Sequence, residues 1–109
     1  MDLLKEYSEE FNKLRLNRIK TSFYKYGSAK INFGKGLVNA VETAEKCIKK
    51  YQDTGNTEYL LDAANYLMFE YMYPQHDNAH FKATESHESA GIVGMSIKEM
   101  EEYNARKKC

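Results

Sequence analysis

The segment YLLDAANYLMFEYM, at positions 59–72, constrains the fold more than any other part of the chain. Almost every position in it is apolar, so a helix over it has to be covered by neighbouring helices on most of its sides. We predict that this helix begins with Thr57 as the N-cap and runs to about Tyr73, where Pro74 ends it. Apart from Glu70, which we expect to be solvated, its polar residues are spaced four and three apart and therefore form one narrow line along the helix. They are Glu58, Asp62 and Asn65.

A second apolar stripe precedes this helix and predicts its partner. From about Gly36 onward, apolar residues recur at intervals of three and four, as they do on one side of a helix. The stripe consists of Leu37, Val38, Val41, Ala44, Ile48 and Tyr51. It stops at the polar turn Asp53–Asn56, which is short enough to join two antiparallel helices. We therefore expect an antiparallel helical hairpin over residues 36–73 at the centre of the molecule.

Two further helices are predicted near the ends of the chain. The first runs from about Leu3 to about Phe23, with acidic residues before basic ones, the order that the helix dipole favours. The last begins at Ser96, an N-cap with Glu99 three residues on, and runs to about Lys107.

The segments between these helices lack a sustained helical period. Residues 24–35 are predicted to be a connection, and residues 75–95 a long loop. The fold class is therefore all-α. We expect a single domain over residues 1–109, a small bundle of about four helices around the central hairpin, with a long loop before the last helix.

Charge is balanced overall but divided along the chain. The first 35 residues carry eight basic and four acidic side chains, and the remainder carries eight basic and twelve acidic ones. An overall basic footprint for nucleic acid is absent, although a local basic surface remains on the first helix. It consists of Lys13, Arg15, Arg18 and Lys20. Alternatively, the two parts complement each other on folding or in a homo-oligomer.

The chain carries none of the usual signs of export. The N-terminal sequence MDLLKEYSEEF lacks the basic and apolar regions of a signal peptide, and no apolar run reaches the ~20 residues that a membrane span needs. Cys47 falls within a helical pattern and Cys109 is the last residue, so we expect no disulfide between them. These features favour a cytoplasmic protein without a membrane partner.

Acidic residues in the hairpin are the strongest candidates for chemistry. Glu42 and Glu45 lie three apart on the first hairpin helix, and Glu58 and Asp62 lie four apart on the second. The turn brings the two pairs to a similar depth, where their carboxylate oxygens would suit Mg²⁺. The alternative is that these acids are solvated and interact only with neighbouring lysines.

The ETAE motif at Glu42–Glu45 and the EYLLDAANY segment at Glu58–Tyr66 resemble the metal-binding core of MazG-like all-α nucleoside triphosphate pyrophosphohydrolases. That family binds magnesium through an ExxE pair and an ExxD pair. The resemblance covers only the hairpin. It implies that Glu42, Glu45, Glu58 and Asp62 hold Mg²⁺ and that a metal-bound water attacks a nucleoside triphosphate. In this chain the second pair is spaced ExxxD, one residue longer than the family pattern.

Two segments are candidates for ligand or partner binding. In residues 24–35, Tyr24 and Tyr26 alternate with lysines such as Lys30, and such neighbours can stack a base and hold a phosphate. Residues 73–91 mix imidazoles, hydroxyls, a ring and a lysine, which suits a phosphorylated ligand or a protein surface. The candidates are His76, His80, Phe81, Lys82, Ser86 and His87, together with Asn65 of the polar line. The alternative for residues 24–35 is a loop whose aromatic side chains enter the core while its lysines stay solvated, and the alternative for residues 73–91 is a flexible surface loop.

The segment GSAKINFG at Gly27–Gly34 and the run from Asp62 to Ser89 resemble small helical proteins of phages and other mobile elements. The resemblance implies a counter-defence factor that acts by binding in the cytoplasm of a bacterial host. Its partner would be a host defence protein, as for an anti-CRISPR inhibitor, or a small nucleotide that it sequesters. Binding of this kind needs no cofactor. MazG-like hydrolysis is the second hypothesis, and nucleic-acid binding the third.

Overall fold

The computed structural model describes residues 3–107, and this part of the chain is helical, without strands. A 3₁₀ turn at Leu3–Glu6 precedes five α-helices. These are α1 (Glu9–Tyr26), α2 (Ala29–Gly34), α3 (Ala40–Thr54), α4 (Glu58–Met72) and α5 (Ile97–Lys107). The predicted all-α fold, with a central hairpin and a long loop before the last helix, is confirmed. The chain divides after Ala79 into two compact units.

The turn between α3 and α4 closes the hairpin as predicted. Gly55 follows α3 with φ 75° and ψ 5°, a left-handed conformation that glycine adopts readily, and its N–H donates to Tyr51 O at 2.7 Å. Asn56 Oδ1 accepts a hydrogen bond from the Glu58 N–H at 3.0 Å. Thr57 occupies the predicted N-cap position, but its side chain forms no capping bond. The helix start is therefore stabilised by the asparagine that precedes Thr57.

The first long helix starts later and ends later than its sequence pattern indicates. Ser8 Oγ accepts a hydrogen bond from the Phe11 N–H at 3.0 Å and caps α1, so the helix begins at Glu9 instead of Leu3. It continues to Tyr26, three residues beyond the predicted end.

The prediction that residues 24–35 form an irregular connection is wrong, because α2 lies within them. Ser28 Oγ accepts from the Lys30 N–H at 3.2 Å and starts this short helix. Asn39 likewise caps α3, because its Oδ1 accepts a hydrogen bond from the Glu42 N–H at 3.1 Å. α3 therefore begins at Ala40 and not at Gly36. Short polar side chains at these positions bind free backbone N–H groups and fix the helix starts.

The core of the first unit forms where α2 meets α4. The rings of Phe33 and Phe69 stack with their centroids 4.6 Å apart, and Tyr66 packs edge-on against both. Ala40 at the start of α3 is buried in the same cluster. No large side chain in the described residues is completely buried. The core is therefore small, and many apolar side chains remain at the surface.

The second unit consists of the long loop and α5. The loop contains a 3₁₀ turn at Ser86–Glu88, and its described residues from 80 to 96 are all exposed. Ser96 Oγ accepts from the Glu99 N–H at 3.1 Å, which confirms the predicted cap of the last helix. Across residues 3–107, the helices are too short or too polar for any of them to traverse a lipid bilayer.

Candidate functional site

The polar line of α4 faces α1, where arginine side chains meet it. Arg18 Nε donates to Asp62 Oδ1 at 3.0 Å and Arg18 Nη2 donates to Asp62 Oδ2 at 3.1 Å, a bidentate ion pair. The Arg18 guanidinium also lies 3.6 Å from Glu58 Oε1. The hydrogen bonds with Asp62 are the main reason that the pKa of Arg18 lies above its ordinary value. Two acids of the predicted metal set therefore lie beside an arginine of the same chain, and Asp62 is paired with it directly.

Asn65 joins the same two helices through its amide. Its Oδ1 accepts from Arg15 Nη1 at 3.2 Å, and its Nδ2 donates to the Arg15 backbone carbonyl at 3.0 Å. Arg15 Nη2 also donates to Asn12 Oδ1 at 2.8 Å. Asn65 is buried, so these bonds compensate for the desolvation of its amide. Arg15 and Arg18 serve to attach α1 to α4, and Lys13 and Lys20 are the remaining members of the predicted basic surface.

The structure does not gather the four hairpin acids into one group. Glu42 and Glu45 are exposed on α3, while Glu58 and Asp62 lie beside Arg18. Within residues 3–107, the acidic and imidazole groups close enough to share an ion are Glu85, His87 and Glu88, all of them exposed. Glu88 already pairs with Lys82 at 3.1 Å, and exposed acidic groups commonly stand together without a metal.

A cavity of about 270 Å³ lies beside the polar line, between the C-terminal half of α1, α2 and α4. Its wall is mainly apolar, with polar side chains contributed by α1, α2 and α4. It is lined by Ile19, Ser22, Phe23, Tyr26, Gly27, Ala29, Asn32, Phe33, Val38, Asp62, Asn65, Tyr66 and Phe69. We call this the α1–α2–α4 cavity. Its combination of aromatic faces and a few hydrogen-bonding groups is typical of a small-molecule site.

Three side chains supply most of the hydrogen-bonding capacity of the cavity. Ser22 and Tyr66 line it, and each carries a hydroxyl group that can donate and accept a hydrogen bond. Burial, followed by the proximity of Cys47 and Asp62, raises the pKa of Tyr66, so the phenol stays protonated and can donate. Each Asp62 oxygen accepts one bond from Arg18 and keeps a further lone pair.

Of the predicted ligand-binding residues, Tyr26 and Asn65 line this cavity. Tyr24 is exposed and meets Phe23 edge-on, and Lys30 is exposed on α2. His76 Nδ1 accepts a hydrogen bond from the Asn78 N–H at 3.0 Å and does not line the cavity. The other predicted residues belong to the second unit and are exposed. They are His80, Phe81, Lys82, Ser86 and His87.

Sequence reasoning missed most of the cavity wall. Tyr66 and Phe69 were recognised only as part of an apolar helix, and Ser22 was not considered. One signal was present: Arg15 and Arg18 are three apart, as are Asp62 and Asn65, so antiparallel helices place the two pairs opposite each other. That match predicts the contact between α1 and α4, and the cavity lies next to it.

Comparison with protein-family models, with curated proteins and with solved structures gives no match for this chain. The site is therefore interpreted from its own geometry.

Proposed function

We propose that this protein acts by binding a small nucleotide whose base enters the α1–α2–α4 cavity. The observation that carries the proposal is the placement of hydrogen-bonding groups beside aromatic faces in one cavity of about 270 Å³. This volume lies near the lower limit of small-molecule sites, about 300 Å³. It therefore suits a single ring system better than a large ligand.

The chemistry of the wall matches the properties of a nucleobase. A base presents a flat π surface and an edge that carries both donors and acceptors. Phe23 and Tyr26 offer aromatic faces for stacking, and stacking is tolerant of base identity. The Tyr66 hydroxyl can donate to a base acceptor, and Asp62 can accept from a base amino group.

A cation stands near the cavity for the phosphate groups. The Lys25 ammonium lies 5.7 Å from the centre of the Tyr26 ring, and Tyr26 lines the cavity. A base held against Tyr26 would leave its phosphates in solvent near this ammonium group. The proposal thus retains the predicted alternation of aromatic and lysine side chains in residues 24–35, with Lys25 in the role that was predicted for Lys30.

Binding is proposed in preference to hydrolysis because the hairpin acids are not arranged as a metal site. Asp62 and Glu58 lie against Arg18, and Glu42 and Glu45 are exposed elsewhere on the hairpin. Sequestration of a signalling nucleotide also agrees with the resemblance to mobile-element proteins. We propose on this basis a counter-defence role in a bacterial host.

Isothermal titration calorimetry against mononucleotides, cyclic mononucleotides and cyclic dinucleotides tests the proposal. Phe23→Ala removes a ring that lines the cavity, whereas Tyr24→Ala removes the adjacent ring, which does not line it. We expect Phe23→Ala to weaken binding about tenfold, since loss of a stacking partner costs about 1–3 kcal/mol per base. Tyr24→Ala should bind as the unmodified protein does. No binding across the panel, or equal losses in the two variants, contradicts the proposal.

A host defence protein is the second candidate partner, and a specific surface favours it. Phe11 and Leu14 lie three apart on α1 and both are exposed, as is Tyr7 just before the helix. Rows of exposed apolar side chains commonly mark protein interfaces. Pull-down of purified host nucleases with the protein, and its loss in Phe11→Ser, would support this partner. Nuclease capture that Phe11→Ser leaves unchanged counts against this surface.

A further inference from the structure

α4 has one side that no other helix of the first unit covers. α1 contacts the polar line, and α2 and α3 contact α4 from other directions. This side carries residues at intervals of four, three and four, of which Leu60 and Ala64 are partly buried and Leu67 and Tyr71 are exposed. Leu67 is 54 % exposed and Tyr71 is 78 % exposed. A helix that is apolar on all sides is normally covered on all sides, so this surface lacks a neighbouring helix within the first unit.

α3 extends the same apolar surface. Val41 and Ile48 are seven residues apart, hence on one side of the helix, and both are exposed. Cys47 lies about 100° around the helix from Ile48 and is partly buried, whereas Val41 and Ile48 are exposed. The Asp62 carboxylate acts on the Cys47 thiol, so Cys47 lies on the side of α3 nearer the polar line. In an antiparallel pair, Val41 and Ile48 then lie on the opposite side of the hairpin, next to the uncovered side of α4.

These residues form a two-helix surface, which we call the outer hairpin surface. It consists of Val41, Ile48, Leu60, Ala64, Leu67 and Tyr71. It contains no charged side chain, so two identical copies of it can meet without like-charge repulsion. Ala64 lies in the middle of the α4 row, where a small side chain lets a second helix approach closely. Two copies of the outer hairpin surface can therefore pack against each other.

The charges beside this surface indicate which occupant it takes. Glu45 and Lys49 lie on α3 next to Val41 and Ile48, with the acid one helical turn before the base, and both are exposed. A two-fold axis that crosses α3 between them places Glu45 of each copy beside Lys49 of the other. Lys49 also bonds Asp53 at 2.9 Å, and its ammonium keeps two further donors. This alternation of sign is complementary to itself and favours a second copy over a partner of uniform charge.

We propose that two copies of this chain associate through the outer hairpin surface, with the two hairpins forming an isologous four-helix arrangement. α4 would then be covered on every side, as its sequence predicts. The association would leave the α1–α2–α4 cavity open, because that cavity lies on the opposite side of the hairpin, by the polar line.

Sedimentation velocity of the full chain tests the association. We expect a species of twice the 12.7 kDa chain mass and a monomer in the Leu67→Glu variant, which places a charge in the apolar surface. Leu16→Glu is the matched control, because Leu16 is 46 % exposed on α1, away from this surface. That variant should remain a dimer. Circular dichroism establishes that both variants keep their helices.

Charge reversal distinguishes a two-fold dimer from other association. Glu45→Lys and Lys49→Glu should each weaken the dimer about tenfold, since each brings like charges together twice across the axis. The double variant Glu45→Lys/Lys49→Glu restores opposite charges and should restore the dimer. Because Glu45 and Lys49 are exposed, their variants still test the dimer if Leu67→Glu fails to fold. A monomer at every concentration, a dimer indifferent to Leu67→Glu, or a double variant weaker than the single ones overturns the proposal.

Discussion

Arg18 connects two acidic side chains of α4 with the middle of α1, and the two contacts differ in quality. The bond to Asp62 is bidentate at 3.0 and 3.1 Å, while Glu58 lies 3.6 Å away. The Asp62 side chain is 21 % exposed and that of Glu58 is 54 % exposed. Solvent screens the second contact more than the first, and exposed ion pairs contribute little to stability. The two acids therefore provide a matched comparison.

Asp62→Asn is expected to lower the free energy of unfolding by about 1 kcal/mol, because it removes the charge-assisted bidentate bond to a partly exposed arginine. Glu58→Gln, the control, should change it by less than about 0.5 kcal/mol. Urea denaturation followed by circular dichroism measures both values. If both variants lose the same free energy of unfolding, geometry and exposure do not determine how much each contact stabilises the fold.

Cys47 of α3 lies near enough to Asp62 of the polar line for the carboxylate to act on its thiol. Burial, and secondarily the Asp62 carboxylate, raises the pKa of its thiol. At a given pH the folded protein then holds less thiolate than the unfolded chain, and the thiolate is the reactive form. In a Cys109→Ser background, Cys47 should react with iodoacetamide more slowly in the native protein than in denaturant. The midpoint of the native rate profile should lie at higher pH. A native profile that coincides with the denatured one would contradict this.

At the scale of single elements, the hairpin turn depends on one backbone conformation. Gly55 has φ 75°, where an L side chain is strained, and a Cβ added there would meet no other atom within 4 Å. Gly55→Ala should therefore lower stability by about 1 kcal/mol through backbone strain alone.

Gly34→Ala is the control for this turn. Its added Cβ would lie 3.7 Å from Tyr73 Cδ1, an ordinary contact, and its backbone φ is not positive. We expect a change within about 0.5 kcal/mol in the same urea experiment. If Gly34→Ala costs as much as Gly55→Ala, the loss at the turn cannot be assigned to its left-handed backbone.

Strong local signals allowed the hairpin to be predicted from the sequence. The apolar stripe of α3, the turn at Gly55 and the stop at Pro74 act over a few residues, and the structure has all three. The helix starts were harder, because Ser8 and Asn39 cap α1 and α3 several residues after the starts that periodicity predicts, and Ser28 caps a helix in a segment without an apolar period. Capping by short polar side chains overrides periodicity at these positions.

The candidate site could be predicted only in part. Asn65 and Tyr26 were recognised as residues of functional interest, and both line the cavity. The role of the polar line could not be read from α4 alone, since carboxylates suit a metal and an arginine equally well. The contact is decided by α1, which lies more than 40 residues away in sequence and brings Arg18 to Asp62. For a contact between residues this far apart in sequence, the signal in the sequence is the equal spacing of Arg15 and Arg18 on α1 and of Asp62 and Asn65 on α4.

At the scale of the whole chain, the division of charge is partly explained by folding. The first 35 residues carry an excess of basic side chains and the remainder an excess of acidic ones. Arg18 joins the two parts through its bonds with Asp62 and Glu58, so some of this complementarity is used within the first unit. Glu45 and Lys49 offer a further complementary pair to a second copy of the chain. Charge complementarity thus contributes to the first unit and, in our proposal, to the dimer.

Stability should be distributed unevenly along the chain. In the first unit, α3 and α4 pack closely against each other, whereas the described residues of the loop at 80–96 are all exposed. Amide hydrogens open to exchange more readily where little apolar surface is buried and hydrogen bonds face solvent. Hydrogen–deuterium exchange read by mass spectrometry should therefore find the slowest amides in α3 and α4, and exchange rates close to those of an unstructured chain across residues 80–96.

α5 serves as the internal control, because its amides are helical but its side chains are largely exposed, so its protection should be intermediate. Protection of the loop equal to that of α4 would contradict this distribution and would mean that a partner or a second copy covers the loop in solution.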